Sequence, residues 1–105
     1  MKVRIKRLDG SVELPKYQTG ESAGFDIAAN EDATLEPGEI KLVSTGLIVE
    51  APRGYFLLVS SRSSAPKKKG IMMPHGIGVV DRDYSGPEDE IKLQFYNFPL
   101  LIKFK

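Results

Sequence analysis

Glycine and proline interrupt this chain so often that no long helix fits. The longest stretch free of both is Phe25 to Glu36, twelve residues. Isolated helices are marginal below about 12–15 residues, so a helical domain is excluded. The apolar residues also alternate instead of recurring every third or fourth place. Val3 and Ile5 interleave with Lys2, Arg4 and Lys6, and Ile91, Leu93 and Phe95 interleave with Lys92, Gln94 and Tyr96. Period two with β-branched and aromatic residues reads as half-buried strand.

The alternation predicts strands near 2–8, 25–29, 39–50 (broken at Gly46), 55–60, 77–80, 91–97 and 100–104. Asp9-Gly10 suits a tight hairpin, because both residues tolerate positive φ. In Glu36-Pro37-Gly38-Glu39, proline presets the second turn position and glycine supplies positive φ at the third. Pro52 and Gly54 mark another turn. Many short strands with such turns indicate a sandwich, barrel or jelly roll. The one expected helical turn lies near 63–69. It has serine at its start, Pro66 in its first turn, lysines at its end and Gly70 to close it.

With 105 residues, the chain reads as a single domain, 1–105. Fifteen Lys/Arg against fourteen Asp/Glu give a net charge of +1. That balance offers no global attraction to nucleic acid or to a membrane. Cysteine is absent, which excludes disulfides, thiolate metal sites and thiol nucleophiles. A single histidine, His75, excludes a multi-histidine metal site and reads as a solvated turn residue. No apolar run reaches the length of a membrane span, and residues 1–10 are too charged for a signal peptide. The expectation is a cytoplasmic protein without a membrane or specific nucleic-acid partner.

Two segments carry chemistry. Arg62-Ser63-Ser64 places a guanidinium and two hydroxyls at an expected helix start, a combination that favours phosphate; an ordinary capped loop is the plainer alternative. Asp81, Asp83, Ser85 and Gly86 match the first half of a calcium loop. The match then fails, because the twelfth position is Lys92 and the eighth is Glu88. What remains is a strand running into a carboxylate-rich turn with one aromatic ring, Tyr84. Met72 and Met73 read as core or rim packing. Lys67, Lys68 and Lys69 read as a solvated face, with a basic nucleic-acid module as the alternative.

Three segments in one order change that weighting. Ala23-Gly24-Phe25-Asp26-Ile27 resembles the first motif of the trimeric dUTP diphosphatases (dUTPases). Arg62-Ser63-Ser64, with Lys68, Gly70 and Ile71 downstream, resembles the second. Gly78-Val79-Val80-Asp81-Arg82-Asp83-Tyr84-Ser85-Gly86 resembles the third, G-x-I-D-x-D-Y-x-G. Residues 1–15 resemble the opening strand of that family.

The resemblance implies a distorted all-β jelly roll or β-sandwich and a homotrimer with sites at subunit interfaces. It implies Mg²⁺-assisted hydrolysis of dUTP to dUMP and pyrophosphate. Asp81 would match the general base, and Asp26 the carboxylate near the metal and its waters. Arg62, Ser63 and Ser64 would bind phosphate. Tyr84 would pack on the deoxyribose, excluding a 2′-hydroxyl. Gly76, Ile77, Gly78 and Asp83 would belong to the base pocket. Ala65, Pro66 and His75 depart from the pattern. The chain stops at Lys105, where the fourth and fifth motifs would follow, so weak or absent turnover is expected of these 105 residues. A non-catalytic nucleotide-binding remnant and a dCTP deaminase-related protein are the alternatives.

Overall fold

The computed structural model describes residues 2–98. It contains seven short strands and one helical turn: β1 (Arg4–Arg7), β2 (Ile40–Ser44), β3 (Leu47–Glu50), β4 (Leu57–Ser60), α1 (Ala65–Lys69), β5 (Ile71–Met72), β6 (Ile77–Val80) and β7 (Lys92–Asn97). The expected all-β, jelly-roll-like class is the one observed. Every pairing is antiparallel. β1 pairs with β3, β7 lies between β2 and β5, and β4 pairs with β6.

The core lies where these sheets meet. Val12, Leu47, Val49, Ile91 and Leu93 form its buried centre, and Ile5, Ile27, Leu57, Val59, Val80 and Phe95 pack against it. β3 is buried on both faces, which its uninterrupted Leu47-Ile48-Val49 run allows. On β7 the expected alternation holds only at the start, where Leu93 is buried and Lys92 exposed; Gln94, Phe95, Tyr96 and Asn97 are all half-buried. Each fully buried aliphatic side chain contributes about 1.5–3 kcal/mol.

The break expected at Gly46 is real. Gly46 has φ +70°, which lets β2 turn into β3. The Glu36–Glu39 turn also forms as expected, with Gly38 at φ +83° and the Glu39 N–H donating to the Glu36 carbonyl at 2.9 Å. Helix α1 ends at Gly70, whose left-handed backbone lets its N–H reach the Pro66 carbonyl at 3.0 Å. Of Met72 and Met73, the second is buried and the first is partly exposed at the rim.

Several expectations are corrected. Residues 25–29 form no strand. Only one rung, Lys16 opposite Asp26, pairs there, because no strand among the described residues runs alongside. Asp9-Gly10 makes no hairpin. Gly10 does not adopt positive φ, and the Asp9 carboxylate instead accepts from the Ser11 N–H and hydroxyl, closing a local turn. β1 then pairs with β3 across a long connection. Ser64 occupies the helix N-cap position but makes no side-chain cap bond. β5 is too short to show any alternation. The strand expected at 100–104 lies outside the described residues.

Candidate functional site

The β4–β6 ribbon sets the geometry of every expected site residue except Asp26. Its register places Ser60 opposite Ile77 and Leu57 opposite Val80. Arg62, Ser63 and Ser64 follow β4 at one end, beside Gly76, whose φ of +76° turns the chain into β6. Asp81, Asp83 and Tyr84 follow β6 at the other end. At about 3.4 Å per residue the paired part of the ribbon is roughly 10 Å long, with Arg62 beyond one end and Asp81 beyond the other. One chain therefore brings the first two motifs together and holds the third away from them.

At the first end, Arg62 Nη1 lies 3.7 Å from Asp26 Oδ2. The lone rung between Lys16 and Asp26 carries Asp26 there, and Phe25 beside it packs edge-on against Tyr17 with ring centroids 5.9 Å apart. Lys68, Lys69 and Ser64 line the same open cleft as Asp26 and Arg62. Arg62 is largely exposed and Asp26 half-exposed, so this ion pair is worth about 0–1 kcal/mol. Lys16 and Tyr17 were not singled out in the sequence; they lie outside the three motifs, and only the Asp26 rung brings them in.

At the other end, the Tyr84 N–H donates to the Asp81 carbonyl at 3.0 Å and closes a tight turn. The turn exposes the Asp81 and Asp83 side chains. Among the described residues the Asp81 carboxylate has no hydrogen bond and no ion pair. The Tyr84 hydroxyl donates to the Glu90 carbonyl at 3.0 Å, leaving the ring partly exposed. β6 pairs only with β4, so the backbone groups of its other edge have no strand partner among the described residues. His75 is exposed, as expected, and its ring reaches toward Gly78.

No group of three or more His, Asp or Glu able to hold a metal ion occurs among the described residues. Asp26 alone is a sparse donor set. It fits Mg²⁺ carried on substrate phosphates with most of its waters kept, and does not fit an ion caged by protein.

The architecture is that of the dUTPase-type all-β fold. A crystal structure of the dUTPase from Streptococcus mutans superposes with a TM-score of 0.82 at 32% identity, covering 94% of this chain and 80% of that one. A dUTPase of phage phi11 of S. aureus, whose structure shows a coordinated structural Mg(II) ion, superposes with a TM-score of 0.83 at 26% identity, covering 94% of this chain and 61% of that one. The dUTPase family profile matches residues 10–100. The chain belongs to the dUTPase family, a family of nucleotide hydrolases. It is 42% identical over 97 residues to the deoxyuridine 5′-triphosphate nucleotidohydrolase of Nautilia profundicola, covering 92% of this chain and 66% of that protein. The chain thus spans about two thirds of that relative's length. No helix among the described residues is long and apolar enough to cross a membrane.

Proposed function

We propose that this protein hydrolyses dUTP to dUMP and pyrophosphate in the cytoplasm, at sites completed between the copies of a homotrimer. The observation that carries the reading is the separation along the ribbon. Asp26 and Arg62 sit at one end and Asp81 and Tyr84 at the other, which supports a nucleotide that bridges two chains.

Each residue has a role its surroundings suit. Arg62 exchanges its weak pairing with Asp26 for phosphate oxygens, which a guanidinium can grip bidentately. Ser63 and Ser64 add hydroxyl donors, and the Ser64 hydroxyl is not spent on capping α1. The base lies against the free edge of β6, where backbone groups near Gly76, Ile77 and Gly78 pair with the uracil edge. A side chain at Gly76 would strain its positive φ. Tyr84 packs on the deoxyribose and leaves no space for a 2′-hydroxyl. Asp83 follows β6 on the Tyr84 side and borders the deoxyribose.

Asp81 is the general base. It orients a water in line with the α-phosphorus and takes its proton as the new P–O bond forms. The bond from the α-phosphorus to the bridging oxygen breaks, and pyrophosphate leaves with that oxygen. Proton transfer of this kind typically contributes 10²–10⁴-fold. Asp26 would meet Mg²⁺ through its water shell; when bound, the ion neutralises phosphate charge.

The test is pyrophosphate release from dUTP, UTP, dTTP and dCTP with Mg²⁺ present. Cleavage of dUTP alone is expected. Nucleotide binding without pyrophosphate release would favour the non-catalytic reading, and ammonia release from dCTP would favour the deaminase branch.

A further inference from the structure

The loop from β6 to β7 holds its aromatic residue by a chain of contacts that ends in the core. The Gly86 and Asp89 turn folds the loop back, with the Gly86 N–H donating to Asp89 Oδ2 at 2.9 Å and the Asp89 N–H to the Gly86 carbonyl at 3.1 Å. The Tyr84 hydroxyl closes the loop by donating to the Glu90 carbonyl at 3.0 Å. Glu90 is itself fixed from across the sheet. Its Oε2 accepts from the Gly46 N–H at 2.7 Å and from the Ser44 hydroxyl. The next residue is fixed as well. The Ile91 N–H donates to the Leu47 carbonyl at 2.8 Å, and the Ile91 carbonyl accepts from Thr45 Oγ1 at 2.5 Å. Thr45 and Leu47 are only 1% and 2% exposed. The far end of the tether is thus anchored in the most buried part of the fold, while Tyr84 at its near end is 43% exposed.

We propose that Glu90 is a positioning residue: its carboxylate locks the loop to the Ser44–Gly46 bend, so that its carbonyl holds the Tyr84 ring in the pose that separates deoxyribose from ribose. The inference rests on the reading of Tyr84 as the sugar-packing ring. An exposed tyrosine without this tether samples several rotamers, and binding would have to order it. With the tether the ring is ordered beforehand. Exclusion of a 2′-hydroxyl depends on where the ring plane stands, so loss of the tether acts on the choice of sugar more than on phosphate binding. None of the residues that hold Glu90 belongs to the three motifs.

The experiment compares calorimetric binding of dUMP and UMP by the wild-type chain and by E90Q, E90A, Y84F, Y84A and the E90A/Y84F double variant. Thermal melts establish that each variant folds. Amide exchange of residues 82–90 is followed without nucleotide. E90A and Y84F are each expected to reduce the dUMP-over-UMP preference by roughly three- to tenfold. The double variant should lose no more than either single change, because both cut one chain of contacts. E90Q keeps an amide oxygen for the Gly46 N–H and should fall between wild type and E90A. Exchange at 82–90 should quicken in E90A and Y84F alike. Unchanged preference in a folded E90A, or unchanged exchange, would overturn the tether. Unchanged dUMP binding by Y84A would overturn the sugar-packing role itself and the inference with it. The exchange measurement uses no nucleotide, so the two failures are distinguishable.

Discussion

Arg62 Nη1 stands 3.7 Å from Asp26 Oδ2, which joins the first and second motifs through one weak, exposed ion pair. The pair orients the guanidinium without binding it tightly. Arg62→Lys should therefore weaken dUTP binding more than Lys69→Ala does, by roughly tenfold against less than threefold. A lysine acts as a point charge and cannot engage two phosphate oxygens in one plane. Calorimetric titration of both variants checks this, and a larger loss from Lys69→Ala would contradict the assignment of Arg62.

Asp81→Asn should leave folding and nucleotide affinity nearly unchanged, because the carboxylate has no partner to lose among the described residues. Turnover should fall by about 10² or more, the usual contribution of a general base. Full turnover in the purified variant would remove Asp81 from that role.

Gly46→Ala should destabilise the fold by roughly 2–4 kcal/mol. Two costs add at this position. The backbone has φ +70°, and a Cβ would meet the buried Val12 Cγ2 at 2.5 Å and Asn30 Nδ2 at 3.1 Å. Gly38→Ala is the matched control, since its φ is also positive but a Cβ there meets nothing within 4 Å. Urea melts should show the larger loss at Gly46; equal losses would mean that the crowding at Gly46 is without effect.

The contrast between these elements explains what could be read in advance. β6 occupies residues 77–80 as its alternating pattern implies, and the break at Gly46 falls where a glycine splits an apolar run. Residues 25–29 carry a similar pattern but find no adjacent strand among the described residues, so pattern alone did not decide their state. The three motifs are contiguous runs, and this made them legible. Their separation along the ribbon follows from the β4–β6 register, which no local signal encodes. The clamp of Glu90 on Ser44 and Gly46 joins residues of two distant segments with no shared motif, and only the folded chain brings them together.

That clamp should also shape acid stability. The Ser44 hydroxyl, above all, holds the Glu90 carboxyl below the ordinary glutamate value, with help from the Gly46 and Thr45 N–H groups and the Lys92 charge; partial burial opposes them. A carboxylate depressed in the folded state stabilises above its unfolded value, and the contribution is lost as pH falls through the folded one. Wild-type stability should thus decline as pH drops below about 4.3. Asp9, lowered by its hydrogen bonds from Ser11, acts in the same sense. Glu90→Gln should remove part of this decline, so thermal midpoints of variant and wild type should converge from pH 6 to pH 2.5. Parallel curves would show that Glu90 adds nothing to the acid limb.

The outer face of the β4–β6 ribbon requires cover. Leu58 lies opposite Val79 and Ser60 opposite Ile77, and Leu58, Val79 and Ile77 are 54%, 57% and 49% exposed. Phe56 continues the apolar face beyond β4. A two-stranded ribbon is marginal by itself, and a contiguous apolar face of this kind is a contact surface. If the sites form between copies, this ribbon is the element that must meet its neighbour, because it carries one half of the site at each end. Val79→Glu and Leu58→Glu should therefore shift the protein from trimer to monomer in sedimentation at micromolar concentration and abolish dUTP turnover together with assembly. Lys67→Glu, on exposed α1, changes charge without touching that face and should leave assembly intact. A wild-type monomer under the same conditions would sink the shared site, and a trimer that survives both ribbon substitutions would move the interface elsewhere on the molecule.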